Sequence, residues 1–336
     1  DNVFYIRKPE QILDLLSSNI DSLSSKFKHT NAEKSIKPAR IFIENDVTSY
    51  NMAIRIQKAM GNPEMVNVSG IMRDIRTVKS NFEIEQMRKN AKQQADVYKQ
   101  IPSIYKPGIT DIEYQVEVEY LMRKNGSLGI YRSYGSNMDI FMGTVLVGDN
   151  AHKASPFDFA LGGAGTSGFM PIGASGIKLQ EGMTILFDMA GNYNPWQTDM
   201  SRTFAIGKVP EKAIKAHKVS IEMHNWILDN VKEGTLCSDI YNYCIDTAKK
   251  YDLSEYFMGI DQQAKFVGHG LGLEINEPPV LSARSKDILK ENMTFAFEPK
   301  FVLPEIGPAG IENTYVVKKN GVEKITICEE DLITLR

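Results

Sequence analysis

The feature that most constrains the fold of this chain is an internal repeat. Residues 181–188 and 291–298 both read Glu-x-Met-Thr-x-x-Phe-acid, where the acid is Asp188 in the first copy and Glu298 in the second. The apolar residues between the threonine and the acid are typical of a buried strand. Each copy therefore predicts a buried strand that ends in a carboxylate.

The segments around the two copies are also alike. A turn-rich stretch follows each copy, and a second acid, Asp199 or Glu312, then opens a returning strand. A pair of helices, broken at a glycine, precedes each copy at residues 83–123 and 211–250. The sequence thus predicts an α/β (α+β) fold with two helix-helix-sheet halves that face each other around a shared central site.

Two capping boxes mark where the first pair of helices begins. Ser80 is followed three residues later by Glu83, and Thr110 is followed by Glu113 at the same spacing. In this arrangement each side chain satisfies a free backbone N–H of the first helical turn. We therefore expect helices to begin at both places, with a domain boundary near Lys79.

The segment before this boundary, residues 1–75, is predicted to be a small α/β domain, and residues 76–336 the main domain. The polar stretch Ser17 to Lys37 is predicted to be a solvated loop or a fraying helix. The expected strands and helices of the small domain are Val3 to Ile6, Glu10 to Leu16, Arg40 to Glu44 and Asn51 to Met60.

The repeated acids point to a cation site. A carboxylate at the end of a buried strand is costly unless it is paired or binds a metal, although a single one is often just hydrogen-bonded. Facing hairpins would bring four carboxylates together, and their mutual repulsion amounts to several kcal/mol at low effective dielectric. One or two bound cations would neutralise them.

One of the five histidines suits such a site. His269 lies between glycines, which allow the backbone and a ligand to approach closely. His29, in the polar loop, is expected to face solvent. His217 and His224, seven residues apart on one helix, are expected to be surface or half-buried residues.

These residues resemble the aminopeptidase P and prolidase branch of the pita-bread metallopeptidases, whose scaffold creatinase and methionine aminopeptidases share. The resemblance rests on five residues in order, with Gly-His-Gly-Leu-Gly around the histidine: Asp188, Asp199, His269, Glu298 and Glu312. It covers residues 73–336 and implies a pita-bread fold with duplicated halves. Residues 1–75 resemble part of the family's N-terminal α/β domain.

The resemblance implies two divalent metal ions, which could be Mn, Co, Fe or Zn. Asp188 would chelate one ion, His269 and Glu298 would complete the other, and Asp199 and Glu312 would bridge both. A water between the ions would be the nucleophile, and Glu298 would accept its proton.

The resemblance fails at three positions near the substrate. The family has histidines where this chain has Ser155 and Asn276, and it often has a basic residue where this chain has Gly310. His152 lies three residues before Ser155 and could replace the first missing histidine, or be an ordinary loop residue. An amide such as Asn276 can donate a hydrogen bond but cannot transfer a proton at neutral pH. We expect Glu298, His152 and Asn276 to be the catalytic residues.

Three functions are compatible with this pattern. The first is a metal-dependent Xaa-Pro aminopeptidase or dipeptidase with altered proton-shuttle residues. The second uses the same dimetal site on a non-peptide C–N bond. The third is a non-catalytic binding protein that keeps its metal. The glycine-rich loop at residues 158–168 would shape the substrate site, or be only a flexible connector.

Composition limits the partners. The formal net charge of −3 and a pI near 6.1 give no support to nucleic-acid or anionic-membrane binding. The three cysteines form no CxxC pair and are expected to be buried, reduced thiols. No apolar run approaches the length of a membrane span. We expect a cytoplasmic homodimer acting on a peptide or small molecule; the sequence does not specify the substrate or the metal.

Overall fold

The computed structural model describes residues 4–18, 37–129, 142–157 and 159–336. The chain divides into two compact units, Asp1–Ile75 and Arg76–Arg336. His29, most of the predicted loop at Ser17 to Lys37, and Asp158 lie outside the described residues.

The first unit contains a small parallel sheet. Its elements are helices α1 (Gln11–Ser18) and α2 (Tyr50–Ala59), strands β1 (Arg40–Ile43) and β2 (Glu64–Asn67), and helix α3 (Ser69–Thr77), which ends just beyond the unit. The predictions of α1, β1 and α2 are confirmed. The prediction of a strand at Val3 to Ile6 is wrong for residues 4–6, which have no regular secondary structure. An extended segment is stable as a strand only when it pairs with a neighbouring strand, and residues 4–6 have no such partner among the described residues.

The first half of the second unit is a helix pair and an antiparallel core of three strands. The helices are α4 (Asn81–Tyr98) and α5 (Asp111–Lys124), and the strands are β3 (Gly143–Val147), β4 (Thr184–Met189) and β5 (Ser201–Ile206). Both predicted capping boxes are present, at Ser80 and at Thr110. The C-terminal strand β13 (Ile333–Leu335) joins this sheet beside β5, giving the order β13-β5-β4-β3.

The second half repeats the order of helix, helix and sheet. Its elements are α6 (Glu211–Asn230), α7 (Cys237–Lys250), β6 (Phe266–Gly270), β7 (Glu277–Ser282), β8 (Thr294–Phe297), β9 (Lys300–Leu303), β10 (Gly307–Gly310), β11 (Asn313–Lys318) and β12 (Gly321–Lys324). Five of these strands form a sheet in the order β12-β11-β8-β6-β7. The turn-rich stretch predicted after the second copy of the repeat, at Pro304 to Pro308, covers only the tip of a separate hairpin, β9–β10, so the second half is more elaborate than the first.

Each helix pair packs its apolar face on the sheet of its own half. In the first half, Tyr114 of α5 packs edge-on against Phe187 of β4 at a ring separation of 4.9 Å. In the second half, Ile227 and Cys244 from the two helices share a core with Phe295 of β8. The duplicated sequence therefore builds two cores, and the paired hairpins of the two halves meet where these cores adjoin.

The prediction for His217 and His224 is wrong, because both side chains are buried. His217 Nε2 lies 2.7 Å from Glu330 O, and His224 lies 2.7 Å from the Tyr315 hydroxyl through Nδ1 and 3.1 Å from Ile311 O through Nε2. Helix periodicity could not reveal these partners, which come from the C-terminal segment and β11. Burial lowers the pKa of His217 and holds that of His224 well below its usual value.

The three cysteines are free; Cys237 and Cys244 are buried, as predicted, whereas Cys328 is only half-buried. Among the helices of the described residues, none combines the length and the apolar character needed to span a bilayer.

Acid should destabilise the protein partly through His224. An unfolded imidazole protonates near pH 6.5, whereas the folded one stays neutral because burial lowers its pKa. Below about pH 6.5 the unfolded state binds more protons than the folded state. The free energy of unfolding therefore decreases as the pH is lowered, by at most about 1.4 kcal/mol per pH unit for one such group. Denaturant titrations at about pH 7.5 and pH 5.5 should show a smaller loss in His224→Gln than in the wild type; equal losses would contradict this expectation.

Candidate metal centre

Five side chains of metal-binding type converge on one small cavity. The cavity has a volume of about 40 Å³ and is lined by Asp188, Asp199, His269, Glu298 and Glu312, together with Asn276 and several apolar residues. These are the five residues that the sequence singled out. The structure brings all of them together, and their role as metal ligands stays a prediction.

The strand registers explain why the acids meet. Asp188 is near the end of β4, where it pairs with Ser201 of β5, so Asp199 lies just before that returning strand. Glu298 directly follows β8, whose last residue pairs with Asn313 of β11, so Glu312 lies just before its own returning strand. Each hairpin thus presents one acid from each strand at the same end.

Hydrogen bonds between the two halves hold the hairpins together beside these acids. The Thr314 hydroxyl accepts a hydrogen bond from Asp199 N at 2.9 Å and donates one to Asp199 O at 2.8 Å. Glu312 N donates to Ser201 O at 3.1 Å. The buried guanidinium of Arg202 donates to Glu312 O at 2.8 Å. All of these bonds use backbone atoms of Asp199 or Glu312, so they hold the two acids in place and leave their carboxylates free.

His269 is positioned by the close approach of three strands. It lies on β6 between β7 and β8, and glycines precede and follow it. A Cβ added to Gly268 would lie 2.1 Å from Ala296 O, and one added to Gly270 would lie 2.1 Å from Pro278 O. Both glycines are therefore required by the neighbouring backbones. His269 Nδ1 lies 3.1 Å from Gly270 O, a distance at which a protonated Nδ1 donates to this carbonyl. In that tautomer Nε2 carries the lone pair that can bind a metal, and Nε2 lies 3.5 Å from Glu298 Oε1.

The sequence reasoning missed one residue of the site, Lys300. Its side chain is 0% exposed, and Nζ lies 2.7 Å from Asp188 Oδ2, 2.8 Å from Glu298 Oε2 and 3.1 Å from Glu312 Oε2. The sequence does contain a sign of this burial, because Lys300 directly precedes the apolar run Phe301 to Leu303. A lysine in such a run is buried only when an anion receives it.

The charges perturb one another strongly. Burial, together with the charges of Asp188 and Glu298, raises the pKa of Asp199 well above its usual value. Burial and the charge of Asp199 do the same to the pKa of Glu312. Burial alone would lower the pKa of Lys300, but the surrounding carboxylates outweigh it and raise that pKa well above its usual value. The cluster carries more negative charge than Lys300 can offset.

The residues fit one divalent cation well. Asp199, His269 and Glu312 offer ligand atoms within 4.8 Å of one another, and Glu312 Oε1 is buried without a hydrogen-bond partner among the described residues. Carboxylate oxygens with one imidazole suit Mn, Co, Fe or Zn. A second group, Asp188, Glu298 and Glu312, lies equally close together, but its carboxylates already receive the Lys300 ammonium.

The predicted helper residues lie in two places. Asn276 lines the small cavity with the acids. His152 and Ser155 instead line an adjacent cavity of about 580 Å³. His152 lies 3.4 Å from Asp149 and 3.6 Å from Asp261, and its buried Nδ1 has no hydrogen-bond partner among the described residues. Phe159, from the predicted substrate-shaping loop, lines both cavities.

Comparison with known proteins identifies the class. The sequence profile of metallopeptidase family M24 matches residues 85–319, so the chain belongs to this family and is a hydrolase of the metallopeptidase type. It is 26% identical to the Xaa-Pro dipeptidase of Pyrococcus furiosus over 288 residues, which cover 85% of this chain and 73% of that protein.

Solved structures agree on the fold. The X-Pro aminopeptidase of Thermotoga maritima superposes with a TM-score of 0.75 at 22% identity, covering 96% of this chain and 79% of that one. The Xaa-Pro dipeptidase of Bacillus anthracis gives 0.71 at 26% identity, covering 94% and 78%. The prediction of a pita-bread fold is confirmed.

Removing one of the coupled charges should stabilise the metal-free protein. Because the pKa of Asp199 is raised in the fold, its contribution to stability is lost as the pH rises above the unfolded value near 4. Asp199→Asn should therefore raise the melting temperature in chelator at neutral pH, by roughly 2 °C for each kcal/mol relieved. Added Mn or Co should stabilise the wild type and fail to stabilise this variant.

Thermal unfolding with and without metal measures both effects. Asp96→Asn, which changes an exposed carboxylate on α4, is the matched control and should behave as the wild type does. A variant that is less stable than the wild type in chelator would contradict the repulsion argument.

Proposed function

We propose that the chain is a metal-dependent hydrolase that cleaves the peptide bond next to proline in short substrates beginning Xaa-Pro. The observation that carries this proposal is the convergence of four carboxylates and one imidazole on a buried cavity beside a larger open one. The names Xaa-Pro dipeptidase and X-Pro aminopeptidase of its relatives support the same substrate class. The substrate would lie in the larger cavity, with its scissile bond at the acids.

Some of these residues would bind the cation, and another would accept the proton of the attacking water. When bound, a divalent ion supplies a Lewis acid that lowers the pKa of a water molecule and polarises a substrate carbonyl. Asp199, His269 and Glu312 would hold such an ion. Glu298 points Oε1 toward His269 at 3.5 Å and is placed to accept the proton that the attacking water loses.

Asn276 would assist without transferring a proton. Its amide lines the acid cavity and can donate a hydrogen bond to the carbonyl oxygen as that oxygen gains negative charge. It cannot protonate the leaving nitrogen, and general acid–base help is worth roughly 10²–10⁴ in rate. Proton delivery to the leaving group therefore falls to Glu298, with His152 as the imidazole nearest the substrate cavity.

The larger cavity suits a short peptide. Its volume of about 580 Å³ lies in the usual range for small-ligand sites. Phe159, Ala160 and Phe266 line both cavities and would place an apolar wall beside the scissile bond, where a proline ring could pack. Lys265 and Arg284 on the wall of the larger cavity could pair with the carboxylate of a short peptide.

A second candidate keeps the metal but changes the substrate. Ser155 and Asn276 stand where the resemblance calls for histidines, so a substrate whose leaving group needs little proton assistance would suit the site better than a peptide. Hydrolysis of a non-peptide C–N bond would be such a reaction where the charge on the leaving nitrogen is delocalised over neighbouring atoms. Assembly as a homodimer and a cytoplasmic location also stay predictions.

The purified protein should release the first residue from Xaa-Pro peptides in the presence of Mn or Co. Chelator should abolish the activity and added metal restore it, because the cation supplies the Lewis acid. Asp199→Ala should lower kcat/KM at least 10²-fold, whereas Asp96→Asn should leave it unchanged. Chromatography quantifies the N-terminal residue that is released, and a comparison of the rates for Xaa-Pro and Xaa-Ala peptides measures the preference for proline.

Stoichiometric metal binding without turnover of any Xaa-Pro peptide would contradict the proposal and favour the second candidate. Turnover that survives both chelator and Asp199→Ala would show that the acids do not form the active centre.

His152→Ala tests whether this histidine replaces a missing proton shuttle. If it does, kcat should fall roughly 10-fold or more while KM changes little, and one limb of the pH–rate profile should disappear. His152→Gln, which keeps a polar side chain in the cavity wall, is the companion variant and should also lose that limb. Unchanged profiles in both variants would remove His152 from the mechanism.

A further inference from the structure

Lys300 is held inside the acid cluster by all of its donors. An ammonium group has three N–H bonds, and Nζ lies within 3.1 Å of one carboxylate oxygen on each of Asp188, Glu298 and Glu312. The side chain is completely buried. Lys300 therefore places a positive charge at a fixed point among three of the five residues that would hold metal.

The local fold directs this side chain inward. Lys300 opens β9 and pairs with Gly310 of β10. A Cβ at Gly310 would lie 2.7 Å from Pro299 O and 3.1 Å from Lys300 Cα, so the facing strand can offer no side chain there. The residues that follow in β9 are buried and apolar, and the one anionic environment within reach of Lys300 among the described residues is the acid cluster.

The ammonium supplies part of the positive charge that a second divalent ion would bring. Four carboxylates carry −4, and the ammonium reduces this to −3. One divalent ion would leave −1, whereas two would give +1 in a buried cavity of about 40 Å³. These totals lie equally far from neutrality, so the choice between one ion and two rests on which carboxylate oxygens the ammonium already occupies.

The remaining ligand atoms form one set. The ammonium takes Asp188 Oδ2, Glu298 Oε2 and Glu312 Oε2. Glu312 Oε1 is left buried without a hydrogen-bond partner among the described residues. His269 Nε2 faces Glu298 Oε1 at 3.5 Å and Asp199 Oδ2 at 3.9 Å. Ligand atoms of Asp199, His269 and Glu312 lie within 4.8 Å of one another, so one ion could contact all three.

We propose that Lys300 takes the place of one of the two divalent ions that the resemblance implies, and that the site binds a single divalent ion through Asp199, His269 and Glu312, with Glu298 beside it as the proton acceptor. This inference rests on the metal site of the proposed function and specifies its composition. Asp188 then serves to hold the lysine rather than a metal.

Metal counting on the full chain tests the inference. Wild type and Lys300→Ala would be dialysed against Mn²⁺, freed of excess ion and analysed by elemental mass spectrometry, with isothermal titration of Mn²⁺ into the apoprotein as a second count. The wild type should bind one ion per chain and Lys300→Ala two, because the variant frees three carboxylate oxygens and the space of the ammonium. Lys324→Met is the matched control: it removes a half-buried lysine paired with Glu330 and should still bind one.

A second readout separates loss of the cation from loss of the fold. In chelator, Lys300→Met should melt lower than the wild type by roughly 10 °C, because it keeps most of the side-chain volume but leaves three carboxylates without their cation. Added Mn²⁺ should raise the melting temperature of Lys300→Met more than that of the wild type. Equal shifts in the two proteins would overturn the inference.

The counts are decisive in either direction. Two ions in the wild type would mean that Lys300 accompanies a dimetal centre instead of replacing half of it, and one ion in both proteins would mean that Lys300 does not exclude the second. A wild type without any bound ion would overturn the inference as well. One ion in the wild type and two in Lys300→Ala, with no Xaa-Pro hydrolysis, would uphold the inference and contradict the proposed function.

Discussion

Repulsion among four carboxylates, of which Asp199, Glu298 and Glu312 are buried and Asp188 is half-buried, shapes the rest of this structure. Such a cluster is tolerated only if the backbone holds the acids firmly and cations offset their charge. The fold meets the first condition with hydrogen bonds that avoid the carboxylates, such as those between Asp199 and the Thr314 hydroxyl. It meets the second condition in part with Lys300, whose ammonium contacts three of the acids. The charge that remains is what makes the cluster a cation site.

The two halves share a plan but contribute different chemistry. The first half supplies only acids, Asp188 and Asp199, from a simple hairpin. The second half supplies the other two acids and also the imidazole of His269 and the ammonium of Lys300, the latter from the additional hairpin β9–β10. The duplication therefore explains the two pairs of acids, while the additional hairpin β9–β10 in the second half makes the site asymmetric.

The departures from the family pattern lie in two parts of the site. Asn276 and Ser155 stand where the resemblance calls for histidines that would handle protons near the substrate, and the Lys300 ammonium would replace one of the two implied cations. Both changes reduce the means of stabilising charge during peptide hydrolysis, and both leave His269 and the acids around it in place. A protein with these changes would keep the reaction type of its family and differ in rate, metal content or preferred leaving group.

Local signals were enough to predict the repeated hairpins, the capped helices and the five residues that converge, because periodicity, capping boxes and a repeated motif can each be read within a short stretch of chain. It failed for His217 and His224, whose helix pattern does not reveal the strand and C-terminal segment that cover them. It also passed over Lys300. Whether a lysine lies in water or among carboxylates depends on which strands come to face it, and only the packing of the two halves decided that.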